Sequence, residues 1–136
     1  MVSAIIFDVL GVLDGRNSFF HDHDFMPLCI KLKEQGIIFF VLSNSHREIA
    51  EHHPYLKKFV TDIATKAYFS DTSIYMKPEK ESFTQILSEF DIDPKQCLFI
   101  DDGINNIASA KELGIQTHLY GGFADGMKIL KELLRV

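Results

Sequence analysis

The chain has 136 residues, of which 46% are hydrophobic and 24% charged, and its formal charge is −5 at pH 7. This length and composition exclude wholesale disorder and predict a single domain over residues 1–136. The negative charge excludes a general electrostatic attraction to nucleic acid or to an anionic membrane surface, so neither is expected as a partner.

The first predicted elements are a strand, a helix and a second strand. Residues 3–7 and 37–42 are short apolar runs typical of buried strands. Between them, apolar residues recur at helical spacing over 25–32, with Asp24 placed to cap the start and Gly36 just past the end. This order is typical of a parallel β-α-β unit.

The middle of the chain predicts further helices and a weaker strand. A helix is predicted around residues 46–52 and is expected to stop before Pro54, because proline cannot continue a helix. Residues 64–70 are a weaker strand candidate. The next helix carries an apolar face, is predicted to have Pro78 in its first turn, and ends near Asp91.

The carboxyl-terminal third continues the same alternation. Residues 97–100 predict a strand, 104–114 an amphipathic helix, 115–120 a last strand and 127–134 a terminal helix. Strands that alternate with helices pair in parallel and bury both faces of their sheet. The predicted fold is therefore α/β, a three-layer α/β/α sandwich with a central parallel sheet.

No stretch of the sequence predicts a membrane span or a secretory signal. The longest apolar run, residues 37–42, is far shorter than the roughly 20 residues that a spanning helix needs. Cys29 and Cys97 lie far apart within apolar patterns, which favours buried reduced thiols over a disulfide or a zinc site. We expect a soluble cytoplasmic protein, either a monomer or a weak homo-oligomer.

Five polar residues follow predicted strands or precede a predicted helix at one edge of the sheet. They are Asp8, Ser43, Lys77, Asp101 and Asp102. Ligands of open parallel sheets bind at the carboxyl ends of the strands, where these residues are expected to meet. Each one alone has an ordinary alternative as a turn or capping residue. Three nearby carboxylates, however, repel one another unless a cation neutralises them, and oxygen ligands favour Mg²⁺.

These residues stand in four segments that resemble, in order, the four motifs of the haloacid dehalogenase superfamily. The segments are IIFDVLGVL at 5–13, FVLSN at 40–44, Lys77-Pro78, and FIDD at 99–102 followed by Asn106 and AKELG at 110–114. No single segment is highly specific. Four of them at suitable strand ends make a chance match improbable, and the resemblance implies the Rossmann-like fold of that superfamily.

The resemblance implies a site for phosphoryl transfer. Asp8 would be the nucleophile that forms an aspartyl-phosphate. Ser43 and Asn44 would bind the phosphoryl group, and Lys77 would neutralise charge on both the nucleophile and the phosphoryl group. The substrate would be a phosphorylated small molecule or macromolecule.

The resemblance also implies a Mg²⁺ ion as cofactor. Its ligands would be the carboxylates of Asp8, Asp101 and Asp102 together with the main-chain carbonyl of Leu10. In most phosphatases of the superfamily, a second aspartate stands at the Leu10 position and acts as general acid and base. Leucine can do neither, which typically lowers the rate by roughly 10² to 10⁴. Asp14 is a weaker candidate for a substitute, because aspartate is also common in turns.

The intervals between motifs leave room for helices and strands but not for a cap domain. Asp8 and Ser43 are separated by 35 positions, and Ser43 and Lys77 by 34. The leading prediction is a capless, magnesium-dependent phosphatase with weak or narrow activity. One alternative is a catalytically impaired pseudoenzyme that serves as a metal-binding, phosphate-binding or regulatory module. A metal-independent dehalogenase is disfavoured, because such enzymes use a helical lid.

Overall fold

The computed structural model describes residues 1–13 and 24–134. Five strands form one parallel sheet in the order β3-β2-β1-β4-β5, so the first strand is central. The strands are β1 Ala4–Phe7, β2 Ile38–Leu42, β3 Ala64–Tyr68, β4 Cys97–Asp101 and β5 Gln116–Leu119.

Helices follow the strands and cover the sheet. They are α1 Met26–Glu34, α2 Glu48–Glu51, α3 Pro54–Asp62, α4 Lys80–Glu89, α5 Ile104–Glu112 and α6 Phe123–Lys131. A π-helical turn, Val9–Leu13, follows β1, and a 3₁₀ turn, Pro94–Gln96, precedes β4. The predicted α/β sandwich with a central parallel sheet is confirmed. Among the described residues, no helix has the length and apolarity needed to cross a membrane.

Both faces of the sheet are buried because successive strand residues alternate between two apolar layers. Ile5 and Phe7 of β1 pack in a core with α1, α3 and α6, whereas Ala4 and Ile6 pack in a second core with α4 and α5. A side chain on a strand points to the opposite face from its neighbour, so a continuous apolar run fits a sheet that is covered twice.

The ends of α1 agree with the signals in the sequence. Asp24 Oδ1 accepts a hydrogen bond of 2.9 Å from the backbone N–H of Met26, which is otherwise without a partner within the helix. Gly36, just after the helix, has φ +96°, a conformation that glycine adopts without steric cost. The paired strands begin one residue later than predicted, at Ala4 and Ile38.

The helix predicted to stop before Pro54 does so, since α2 ends at Glu51, whereas the prediction that Pro78 lies in the first turn of a helix is wrong. Pro54 begins helix α3 rather than only ending the helix before it, and the His53 ring accepts a hydrogen bond from the N–H of Leu56. Pro78 lies before α4, because the chain first makes a turn closed by a 2.9 Å bond from the Glu79 N–H to the carbonyl of Met76. Proline has a fixed φ and lacks an N–H, so it suits the start of a helix as well as the end.

The two cysteines occupy opposite layers of the core as reduced thiols. Cys29 on α1 belongs to one apolar core and Cys97 on β4 to the other. Burial raises the pKa of each thiol to about 12. The prediction of buried, reduced thiols is confirmed.

Candidate functional site

The register of the central strands brings the residues that follow them to one edge. Phe7 of β1 is paired with Val41 of β2 and Ile100 of β4. The N–H of Asp8 continues the ladder with a 3.0 Å bond to the carbonyl of Ile100. The Asp8 and Asp101 side chains therefore emerge from neighbouring strands, with Ser43 at the end of the strand on the other side.

Lys77 joins the two inner carboxylates of this edge. Its Nζ lies 2.7 Å from Asp8 Oδ1 and 2.7 Å from Asp101 Oδ2. All three residues are buried, with exposed fractions of 5% for Lys77, 7% for Asp8 and 1% for Asp101. A buried charge is tolerated only when it is paired, and this lysine is paired twice. Asp8 lies 69 positions from Lys77 in sequence, so only the fold creates the pair.

The environment of Asp8 disfavours its charged form. Burial raises the pKa of the Asp8 carboxyl to about 7, although the Lys77 ammonium acts to lower it and the Asp101 carboxylate adds to the rise. A further positive charge beside this group favours the carboxylate, because opposite charges lower the pKa of an acid. The ionised form of Asp8 thus depends on positive charge at this edge.

Three carboxylates form a cluster that fits a divalent cation. Asp8, Asp101 and Asp102 each offer an oxygen, and the three oxygens lie within 4.8 Å of one another. Asp8 and Asp101 are buried, whereas Asp102 is exposed and opens the cluster to solvent. Hard oxygen ligands of this kind suit Mg²⁺. Within residues 1–13 and 24–134, no other group of His, Cys, Asp and Glu side chains has this geometry.

Asn44 holds the main chain of Lys77 by two reciprocal hydrogen bonds. Its Nδ2 donates to the Lys77 carbonyl at 2.9 Å, and its Oδ1 accepts from the Lys77 N–H at 2.9 Å. Asn44 follows β2, and Lys77 lies in the segment before α4, so the bonds fasten two separate loops together. Both polar ends of the Asn44 amide are engaged with Lys77.

Ser43 lies at the buried end of the cleft, 3% exposed. Its N–H donates to the carbonyl of Tyr68 at 2.9 Å, which extends the pairing of β2 with β3 by one residue. Its Oγ accepts a 3.1 Å bond from the Ser45 N–H and lies 2.5 Å from the Ser45 Oγ. The two hydroxyls therefore form one polar group beside the carboxylates.

Asp101 is held by groups from the start of α5. The Gly103 N–H donates to Asp101 Oδ1 at 2.8 Å, and Asn106 Nδ2 donates to Asp101 Oδ2 at 3.3 Å. A Cβ at position 103 would lie 2.9 Å from Asn106 Nδ2 and 3.2 Å from Asp101 Oδ1, so glycine permits this close approach. These contacts fix the Asp101 carboxylate, which pairs with Lys77 and is one of the three carboxylates of the cluster.

Eight polar residues line a cleft of about 310 Å³ at this edge. They are Asp8, Ser43, Asn44, Ser45, Lys77, Asp101, Asp102 and Asn106. The structure brings six of the seven predicted site residues to the cleft, and Leu10, predicted to act through its main-chain carbonyl, lies in the π-helical turn that follows Asp8. Asp14 lies outside the described residues. Sequence reasoning omitted Ser45 from the site, although a second hydroxyl two residues beyond Ser43 is visible in the sequence.

Known proteins and structures resemble this chain over different lengths. D-Ribitol-5-phosphate phosphatase of Bacteroides thetaiotaomicron is 34% identical over 77 residues, which are 57% of this chain and 37% of that relative. The chain thus spans little more than a third of that relative's length. An uncharacterized Corynebacterium glutamicum protein has the same fold, with a TM-score of 0.81 and 24% identity over 98% of this chain and 95% of its own.

A third similarity concerns a structure that contains ligands. A mutant of a haloacid dehalogenase family enzyme from Bacteroides thetaiotaomicron, in complex with magnesium and inorganic phosphate, is 30% identical, with a TM-score of 0.57. The similarity covers 71% of this chain and 50% of that one. Residues 2–114 match the haloacid dehalogenase-like hydrolase family, a range that includes the whole polar cleft. The chain belongs to the haloacid dehalogenase-like hydrolases.

Proposed function

We propose that the protein is a magnesium-dependent phosphatase that acts through an aspartyl-phosphate on Asp8. The observation that carries this proposal is the buried Lys77 ammonium, 2.7 Å from both Asp8 and Asp101, beside a third carboxylate on Asp102. A carboxylate can attack a phosphate dianion only when positive charge screens the two. The magnesium and phosphate bound to a 30% identical enzyme support the same chemistry.

The residues of the cleft have different roles in phosphoryl transfer. An Asp8 carboxylate oxygen attacks phosphorus, and the bond from phosphorus to the leaving oxygen breaks with its electron pair on that oxygen. Lys77 and the hydroxyl of Ser43 stabilise the charge on the phosphoryl oxygens. Water then hydrolyses the acyl phosphate and frees Asp8. Bound by Asp8, Asp101, Asp102 and the Leu10 carbonyl, Mg²⁺ would supply further positive charge toward the phosphoryl group.

Leu10 restricts which leaving groups the site can expel. The leaving oxygen departs with a negative charge unless an acid protonates it, and leucine provides no proton. Acyl and aryl phosphates release stable anions and therefore lose least from the missing acid. We propose that these activated phosphates are turned over and that alkyl phosphates are turned over weakly.

The site works without a cap domain in this proposal. The described residues between β1 and β2 contribute the π-helical turn and α1, and those between β2 and β3 contribute α2 and α3. Both sets of elements belong to the layers of the sandwich. The cleft would therefore accept the phosphate of a molecule that extends well beyond it.

A binding module without turnover is the second candidate, and Leu10 is the observation that favours it. Such a protein would hold Mg²⁺ and phosphate but would form no product. The dehalogenase alternative has less support, because the cluster of Asp8, Asp101 and Asp102 fits a metal that a carbon-halogen hydrolase of this superfamily does not use.

The test of the proposed function is hydrolysis of acetyl phosphate with and without Mg²⁺. We expect Mg²⁺-dependent phosphate release that falls at least about 10³-fold in Asp8→Asn, because the amide is not a nucleophile. Asp125→Asn is the matched control, since Asp125 lies on α6 outside the cleft. Binding of Mg²⁺ and phosphate by the wild type without any release of phosphate would favour the binding module.

The two hydrogen bonds between Asn44 and Lys77 predict a positioning role for Asn44. In Asn44→Ala, kcat for acetyl phosphate should fall about tenfold while KM changes little, because the lysine loses its position and no direct phosphate contact is lost. Asn44→Asp keeps the acceptor for the Lys77 N–H and should recover part of the loss. A rise in KM with unchanged kcat in both variants would instead indicate that Asn44 binds the phosphoryl group.

A further inference from the structure

The cleft can hold a phosphoryl group but offers little to the rest of a substrate. All eight residues that line it are polar, and its volume is about 310 Å³. Lys77 is the one basic residue among the eight, and its ammonium already serves Asp8 and Asp101. A second phosphate on the substrate would thus meet no cation of the cleft. The leaving group must extend outward, over the residues that surround the opening.

Exposed apolar side chains occur on the two segments that carry Lys77 and Asp102. Among the described residues, six large hydrophobic side chains are exposed, and three belong to these segments. Ile74 is 86% exposed and Met76 is 41% exposed, both just before Lys77, whereas Ile104 is 73% exposed and follows Asp102 by two positions. We call these three residues the apolar rim.

The two segments of the apolar rim are joined to each other. Ser109 of α5 donates a 2.5 Å hydrogen bond from its Oγ to the carbonyl of Pro78, so α5 lies against the segment that leads into α4. Met76 directly precedes Lys77, Ile74 lies three positions before Lys77, and Ile104 lies two positions after Asp102, so each member of the apolar rim is close in sequence to a residue of the cleft.

The apolar side chains are not what holds these segments in place. The segment before Lys77 is organised by polar contacts, including a 3.0 Å bond from Ser73 Oγ to the Tyr75 carbonyl and a 3.1 Å bond from the Met76 N–H to Glu79 Oε1. The start of α5 is likewise fixed by the bonds of Gly103 and Asn106 to Asp101. Ile74 and Ile104 leave most of their apolar surface in water, where it is available to a ligand.

We infer that the substrate is an aryl or acyl phosphate whose apolar leaving group packs on Ile74, Met76 and Ile104. The inference rests on the proposed function, because it takes the polar cleft as the phosphoryl site. An aromatic leaving group also satisfies the chemical requirement created by Leu10, since a phenolate departs more easily than an alkoxide. Polyhydroxylated and doubly phosphorylated compounds find few partners on this surface.

The test measures binding, so that it does not depend on turnover. Methylphosphonate and phenylphosphonate are titrated into the protein in the presence of Mg²⁺ by calorimetry. The wild type should bind phenylphosphonate roughly five- to tenfold more tightly, because the ring buries apolar surface of the rim. Ile104→Ser and Ile74→Ser should each reduce that preference, and the double variant should abolish it, while methylphosphonate binding stays unchanged.

Ile30→Ser is the matched control. Ile30 is 47% exposed on α1 and lies outside the cleft, so its replacement should leave both affinities unchanged. Equal binding of the two phosphonates by the wild type would overturn the inference and leave the phosphoryl site intact. Failure of both phosphonates to bind would contradict the proposed function itself. A change of oligomeric state in Ile104→Ser, with phosphonate binding unaltered, would assign the rim to a second copy of the chain and overturn the inference.

Discussion

Replacing Lys77 by methionine is expected to lower the free energy of unfolding by about 3 kcal/mol at neutral pH when no divalent cation is present. Methionine keeps much of the length and volume of the side chain but removes the ammonium. Asp8 and Asp101 would then be two buried carboxylates with no cation between them. The loss is mainly the penalty of leaving these charges unpaired rather than the strength of the original pairs.

Urea denaturation of Lys77→Met with and without Mg²⁺ measures this effect. The ion should stabilise the variant, because its charge replaces that of the ammonium among the three carboxylates. Lys66→Met is the control. Lys66 forms an exposed ion pair of 2.8 Å with Glu89, which water screens, so its loss should cost much less than the loss of Lys77. Equal destabilisation by the two substitutions would show that the buried lysine does not neutralise the site.

Replacing Leu10 by aspartate is expected to raise the turnover of an alkyl phosphate by about 10² to 10⁴. The introduced carboxyl would protonate the leaving oxygen, the step for which leucine has no proton. Acetyl phosphate should gain much less, because its leaving group is already a stable anion. The expected result is therefore a change in the ratio of the two kcat/KM values rather than a uniform increase.

Leu10→Asn separates acid catalysis from a change of shape or polarity. Asparagine matches aspartate in size but does not ionise near neutral pH, so it should not raise alkyl phosphate turnover. Release of phosphate is measured for both variants and both substrates in the presence of Mg²⁺. A gain in Leu10→Asn equal to that in Leu10→Asp would mean that the position acts through something other than proton transfer.

The fold was predictable because its signals are local. Apolar runs bounded by glycine, proline or aspartate predict short buried strands, and the alternation with helices leads to a parallel sheet. The grouping of Asp8, Ser43 and Asp101 at one edge follows from the same rule, since parallel strands end on the same side. The roles assigned to these residues remain predictions of the superfamily resemblance.

Other features depend on contacts that no local pattern contains. The amide of Asn44 is directed to the main chain of Lys77, 33 positions away, and nothing near Asn44 in sequence predicts that partner. Whether a proline ends one helix or begins the next is equally difficult to predict from the local sequence. Pro54 follows one helix and begins the next, and the packing of Leu56 and Phe59 into the core favours the second helix.

Because the two cysteines lie on opposite faces of the sheet, local opening of each helical layer can be measured separately. The Cys29 thiol, on α1, lies in the core on one face of the sheet, and the Cys97 thiol, on β4, lies in the core on the other face with α4 and α5. We expect neither thiol to react with an alkylating reagent until its own layer opens, because the thiolate is the reactive form and both groups are shielded from solvent. The alkylation rates of the two thiols therefore compare local opening on the two sides of one sheet, with no introduced label.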